Sequence, residues 1–219
     1  MKNSEEHRGT LSMSKLILIG AGGHSKVVQD IVATNKELQL YAIVDEKYEQ
    51  TVEKNGVIYA NTSYIKQLDY ESYDFCIAIG NNAIRKKVYE ELDIPLSRYK
   101  SLIHPRTVIS NSAKIGNGTV IMPGVVINAD TEVQHHCIIN TNAVVEHDNR
   151  ISDYVHISPN ATLSGVVTVG EGTHVGAGAT IIQVKSIGKW CTVGAGAVVV
   201  RDFGDNQTVV GVPAKEMKK

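Results

Sequence analysis

From Ile109 onward the chain repeats itself every six residues. Ile109, Ile115, Ile121, Ile127, Val133, Ile139, Val145, Ile151, Ile157, Leu163, Val169, Val175, Ile181, Ile187, Val193 and Val199 are sixteen consecutive aliphatic positions at that spacing. A second column lies four places after each: Ala113, Thr119, Val125, Thr131, Cys137, Ala143, Asn149, Val155, Ala161, Val167, Thr173, Ala179, Lys185, Cys191, Ala197 and Phe203. Nearly all of these are small or β-branched. A period of six is too short for a helical solenoid and too regular for a sandwich, and it predicts a parallel β-helix. Each hexapeptide supplies one strand and one corner, three close a triangular coil, and sixteen make about five coils. The aliphatic column should point inward and stack at about 4.8 Å. The small column should fit the corners. Gly116, Gly170, Gly176, Gly188 and Gly194, each directly after an aliphatic position, should relieve backbone strain there.

The pattern before residue 105 is different. Lys15–Gly20 reads as a buried strand. Gly20-Ala21-Gly22-Gly23-His24 follows, then a segment with Val27, Val28, Ile31 and Val32 on one helical face. Strand, glycine-rich turn and helix open a Rossmann-like unit, whose helix N-terminus favours an anionic ligand. A second strand, 40–44, ends at Asp45, the place for an acidic residue facing a ribose or sugar hydroxyl. A dinucleotide fingerprint would want Gly at position 25, where Ser25 stands, and the domain is short for a full dinucleotide fold. A nucleotide-sugar therefore fits better than NAD. A third strand, 75–79, leads into Gly80-Asn81-Asn82 and a helix beginning near Ala83, with Asn81 or Asn82 as N-cap. Arg85, Lys86 and Lys87 read as a solvated helix face. A short strand over 99–103 precedes His104-Pro105, which marks the expected boundary. The domains expected are thus a disordered lead (1–14, containing His7), a Rossmann-like domain (15–104), and a β-helix with a C-terminal tail (105–219) that leaves the coils after 203.

Charge and composition narrow the function. The 219 residues carry a net charge of −1, so no basic footprint for nucleic acid or an anionic membrane exists. No apolar run reaches the length of a membrane-spanning helix. Cys76, Cys137 and Cys191 are odd in number and widely spaced, two of them in the corner column, which points to a reducing, cytoplasmic setting.

Ionisable residues are few on the β-helix. Glu146-His147-Asp148 is the densest cluster, two places past an inward Val145. A carboxylate beside an imidazole fixes its tautomer and raises its basicity, which suits a general base. A solvated polar corner is the competing reading. Asn149 puts an amide where the column usually takes Ala, Val or Thr. His156 and His174, eighteen apart, should stack on one edge of the surface, without a third ligand for a metal. His135-His136 should be a solvated corner.

Taken together, the hexapeptide run, Val145-Glu146-His147-Asp148, Gly80-Asn81-Asn82-Ala83-Ile84-Arg85-Lys86-Lys87, Gly20-Ala21-Gly22-Gly23-His24 and the closing Gly211-Val212-Pro213-Ala214-Lys215 resemble one family over about residues 15–217. It is the nucleotide-sugar acetyltransferases related to sialic acid O-acetyltransferase, and within it the UDP-4-amino-sugar N-acetyltransferases of bacillosamine synthesis. The resemblance implies an α/β Rossmann-like N-terminal domain followed by a left-handed parallel β-helix. It also implies a homotrimer with active sites between subunits, acetyl-CoA as co-substrate and no metal. His147 would be the general base and Asp148 its partner, where a relative in the family has Glu. Gly22, Gly23, His24, Asp45, Glu46 and Asn140 would hold the nucleotide-linked 4-amino-sugar, and His156, Gly165, Ala177 and Ala195 the CoA. The expected reaction is direct acetylation of the 4-amino group, with backbone N–H groups near Gly165 stabilising the oxyanion. Sialic acid or other sugar O-acetylation is the alternative. A zinc hydratase of the carbonic anhydrase type is a remote one, because no three histidines converge in the sequence.

Overall fold

The computed structural model describes residues 13–217. The lead expected over 1–14 therefore lies outside the described residues, except for Met13 and Ser14. Ser14 already belongs to the first strand.

The N-terminal domain is built from the strands the apolar runs predict, plus a hairpin. Strand β1 (Ser14–Ile19), helix α1 (Gly23–Thr34), strand β2 (Leu38–Val44), strand β3 (Val52–Lys54), strand β4 (Val57–Ala60), strand β5 (Asp74–Ile77) and helix α2 (Asn82–Leu92) follow in order. The sheet runs β3-β4-β2-β1-β5, parallel except for β3. The β3–β4 hairpin turns at Asn55-Gly56, both at positive φ, as a two-residue hairpin loop requires. The buried run Leu16–Ile19 needs cover on both faces, which the helices and flanking segments supply. Strand order reverses around β1. The turns after β1 and β5 therefore open on one crevice, where α/β sheets bind ligands.

The second domain is a left-handed parallel β-helix of two-residue strands in three faces. The first face stacks Val108–Ile109, Val126–Ile127, Val144–Val145, Thr162–Leu163, Thr180–Ile181 and Val198–Val199. The second stacks Lys114–Ile115 through Ser186–Ile187, and the third Leu102–Ile103 through Thr208–Val210. Strands pair with those eighteen residues on, as Val126 with Val144, except at the last coil, where Thr192 pairs with Thr208. Both sequence columns enter one core, from Ile121 to Val209.

Four expectations are corrected. The first strand of the β-helix is Leu102–Ile103, which pairs with Val120–Ile121, while Tyr99 bridges to Phe75 in the N-terminal sheet. The boundary therefore falls at 100–101, before His104-Pro105. At the other end the chain does not leave after Phe203. It adds Thr208–Val210 to the third face and closes antiparallel on Lys215–Glu216.

The glycines after the aliphatic column are not the strained ones. A Cβ on Gly116 would lie 2.6 Å from the Gln134 backbone of the next coil, so coil-to-coil approach demands glycine there. The left-handed residue comes two places later, at every sixth position from Gly118 to Gly196. Asp130, Asn142, Asp148 and Asn160 tolerate that region, whereas Val166 and Val184 are strained in it.

The fourth correction concerns the joint. Arg85 is not on a solvated face but 1 % exposed. Its Nε donates to His136 O (2.7 Å), Nη2 to Tyr154 O (2.8 Å) and Asn82 Oδ1 (2.9 Å), and Nη1 to Ile79 O (2.9 Å) and Gly80 O (3.3 Å). Asn82 Nδ2 reaches Gly172 O (3.0 Å) while Asn81 caps α2 through Ile84 N–H. His136 is not solvated either. It is fully buried, stacked on Tyr154 at 5.5 Å and flanked by Tyr89 and Tyr99. Helix α2 is thus seated on the corner between the second and third faces.

Candidate functional site

His147 follows Val145 at the corner between the first and second faces. Inward packing of Val145 turns the next two side chains outward, and Asp148 takes the left-handed φ of +58° that closes the corner. His147 Nδ1 and Asp148 Oδ2 are 2.7 Å apart, with the side chains 56 % and 55 % exposed. The carboxylate can only accept, so Nδ1 carries the hydrogen and the Nε2 lone pair is left for a proton. The ring lies on the next coil: a Cβ on Gly165 would come within 2.6 Å of His147 Nε2 and Cε1. Gly165→Ala should therefore displace the imidazole without touching the core. We expect kcat to fall about 10²-fold, the loss typical of a misplaced reacting group. Steady-state kinetics beside a thermal melt checks this, and an unchanged kcat would contradict it.

A cleft lies elsewhere. About 460 Å³ opens between the Gly80-Asn81-Asn82-Ala83 turn and the third face, lined there by His156, His174, Trp190 and Thr192. His156 and His174 stack at 4.8 Å with ring planes 5° apart, as their spacing predicts. His156 is not a free surface group, however. Asn140 Oδ1 accepts from Thr141 N–H (2.8 Å), so its Nδ2 donates to His156 Nε2 (3.0 Å). The ring faces the Gly80 turn across the cleft. His174 Nε2 pairs with Ser158 Oγ at 2.7 Å.

Burial, then His174, then the Arg85 guanidinium push the His156 pKa down to about 3. Burial followed by Arg85 holds His24 at about 4 and His136 at about 3. These rings are neutral in the folded chain. Unfolded histidines take up protons near pH 6.5, so between about 6.5 and 3 the unfolded state binds more protons. Stability is therefore complete above pH 6.5 and is lost as pH falls through that window. A melting temperature that stays flat from pH 7 to pH 4 would contradict this.

The other sequence candidates distribute as follows. Gly22 caps the N-terminus of α1, and a Cβ on Gly22 or Gly23 would meet nothing within 4 Å. Open space therefore lies over the helix N-terminus. His24 Nε2 is buried there without a partner. Asp45 is occupied by the loop itself, accepting from Ala21 N–H (2.7 Å) and Lys47 N–H (3.0 Å). Glu46 turns away to Asn61 and Thr62. Asn140, Ala177 and Ala195 follow third-face strands, and the last two are exposed one coil apart. Gly165 sits instead at the His147 corner. The corner between the first and second faces lies opposite the third face of a triangular prism. Within one chain, His147 and the cleft therefore lie on opposite sides of the prism.

Sequence reasoning missed Arg85 and Asn82 as the joint beside the cleft, because a charged residue in a basic run carries no sign of burial. It noticed Asn149 but not its bonds, and the column's own irregularity was the available signal. Among the described residues no group of three histidine, cysteine or acidic side chains is placed to hold a metal, and no helix is long and apolar enough to cross a membrane.

Comparison with known proteins agrees with this architecture. Residues 15–92 match the PglD N-terminal domain and residues 112–147 the bacterial transferase hexapeptide (six repeats). UDP-N-acetylbacillosamine N-acetyltransferase of Bacillus subtilis is 44 % identical over 114 residues, 50 % of this chain and 52 % of that protein. The match thus spans about half the length of that curated relative. The acetyltransferase domain of PglB from Neisseria gonorrhoeae FA1090, in complex with acetyl coenzyme A, is 38 % identical with a TM-score of 0.86, covering 94 % of this chain and 100 % of that one. A histidine-to-asparagine variant of perosamine N-acetyltransferase from Caulobacter crescentus, in complex with CoA and GDP-perosamine, is 35 % identical with a TM-score of 0.86, covering 95 % and 99 %.

Proposed function

Because the chain belongs to the hexapeptide-repeat sugar N-acetyltransferases that carry a PglD N-terminal domain, we propose that it transfers the acetyl group of acetyl-CoA to the 4-amino group of a nucleotide-linked amino-sugar. The observation that carries the chemistry is the His147–Asp148 pair, 2.7 Å apart on an open corner, with no protein donor on Nε2 among the described residues.

The neutral sugar amine attacks the thioester carbonyl carbon. A C–N bond forms, the carbonyl electrons move to oxygen, and collapse of the tetrahedral species breaks the C–S bond. His147 Nε2 takes the amine proton and returns one to the leaving thiolate. Asp148 keeps the imidazole in the accepting tautomer. The Val166 N–H is committed to His147 O (3.0 Å), whereas the Gly165 N–H has no partner among the described residues and is available to the oxyanion. No side chain is acylated.

The opposed placement of base and cleft supports an active site between subunits, and a homotrimer supplies it three times. In this reading the N-terminus of α1, with Gly22, Gly23 and His24, holds the nucleotide diphosphate. The neutral Asn140–His156 pair, beside the Gly80 turn, lines the approach to the thioester, with Ala177 and Ala195 flanking CoA. Asp45 acts by shaping the loop. Three buried free thiols support a reducing, cytoplasmic setting.

Thiol release from acetyl-CoA against a panel of nucleotide-linked 4-amino-sugars tests the reading, with sialic acid and free amino-sugars as comparators. Release with one nucleotide-linked 4-amino-sugar supports it. Release with sialic acid alone would replace it by O-acetylation.

A further inference from the structure

Three threonines in the corner column share one bonding pattern. The hydroxyls of Thr119, Thr131 and Thr173 donate to the carbonyls fifteen residues on, Gln134 (2.8 Å), Glu146 (2.7 Å) and Gly188 (2.7 Å). Each also accepts the N–H eighteen residues on, from Cys137 (3.0 Å), Asn149 (3.3 Å) and Cys191 (2.9 Å). These bonds tie one coil to the next. Asn149, fully buried, does the same with its amide: Nδ2 donates to Ser164 O (3.1 Å) and Oδ1 accepts from Val167 N–H (3.0 Å). It then does more. The same Nδ2 donates to Glu146 O and, at 3.4 Å, to His147 O. No threonine hydroxyl of the column makes these local bonds, and the Cys137 and Cys191 thiols reach only the second carbonyl, that of His135 and Lys189, at 3.6 Å.

We propose that Asn149 is a positioning residue for the base. Its amide holds the two carbonyls on either side of the His147 α-carbon and, through Ser164 and Val167, the segment that carries Gly165 beneath the imidazole. One buried side chain thereby registers the ring against its support and against Asp148. A threonine would bind the coils equally well and leave the corner free to rotate its peptide planes. This accounts for an amide directly after His147-Asp148 in a column that is mostly small, apolar or threonine. The inference rests on the proposed role of His147.

The test compares Asn149→Thr, Asn149→Val and His147→Ala in the full chain, by acetyl transfer kinetics and thermal unfolding. Asn149→Thr keeps the inter-coil bonds, so its melting temperature should stay within about 2 °C of the parent. Its kcat should fall about tenfold, with KM for both substrates changed less than about twofold, because the loss is one of geometry at the reacting atoms. Asn149→Val should lose both stability and kcat. Parental kcat in Asn149→Thr, with His147→Ala inactive, overturns the inference and leaves the role of His147 standing. A melting loss in Asn149→Thr equal to that in Asn149→Val also overturns it, since coil-tying alone would then be what Asn149 supplies. Full activity of His147→Ala would remove the base itself, and the inference with it.

Discussion

On the proposed role of His147, His147→Ala is expected to lower kcat by about 10²–10⁴-fold, the usual contribution of a positioned general base. KM for acetyl-CoA and for the nucleotide-linked amino-sugar changes little, because an exposed corner imidazole contributes little to the surface that holds either ligand. The melting temperature is unchanged, since the His147 side chain bonds only to its exposed neighbour Asp148. Asp148→Asn is the milder companion. The amide can still meet Nδ1, but it carries no charge to favour the imidazolium that forms during transfer. Thiol-release kinetics at saturating concentrations of both substrates measure the effect. A His147→Ala enzyme that turns over at the parental rate would remove His147 from the mechanism and shift attention to the His156 side of the cleft.

Arg85→Met is expected to have the largest effect on stability. Removing the guanidinium leaves the carbonyls of Ile79, Gly80, His136 and Tyr154 without their donor, the last two in the buried part of the joint. Each unmatched acceptor costs about 1–3 kcal/mol, so the sum is several kcal/mol. Relief of a buried charge offsets part of it. Burial lowers the Arg85 pKa to about 10, which leaves it charged at neutral pH with no carboxylate among its bonded partners. The melting temperature should fall by about 10 °C, given a few degrees per kcal/mol for a chain of this size. The Gly80 turn that lines the cleft loses its anchor at the same time, so KM for the nucleotide-linked sugar should rise about tenfold. Arg85→Lys should recover little, because one ammonium cannot span acceptors on both domains. Thermal unfolding with KM determination checks this, and parental values for both would show that the joint holds without the guanidinium.

Much of the fold was legible beforehand because the signal was local and repeated. Every inward aliphatic residue obeys the same steric rule as the one eighteen residues before it, so the column from Ile109 to Val199 determines faces, register and core together. The two glycine-rich turns were equally legible, since a strand running into Gly20 or Gly80 leaves the backbone few alternatives. His147 and Asp148 could be singled out because adjacency in the chain places an imidazole and a carboxylate within bonding distance on any corner.

Tertiary structure alone decided what depends on burial from outside the repeat. Arg85 and Lys87 stand in the same basic run, yet one is sealed between domains and the other is exposed, because helix α2 docks by one face. His136, which the sequence alone places at a solvated corner, is buried for the same reason. Asp45 and Glu46 are neighbours, but the loop captures one and Asn61 and Thr62 capture the other. The separation of His147 from His156 also follows from the prism: nine residues apart is one face and a half, which puts them on opposite sides. By itself the sequence determined the coil and the chemistry of its corner. The packing of a second domain against the coil decided where the cleft lies, because burial and opposition across a prism are properties of distance in space, not along the chain.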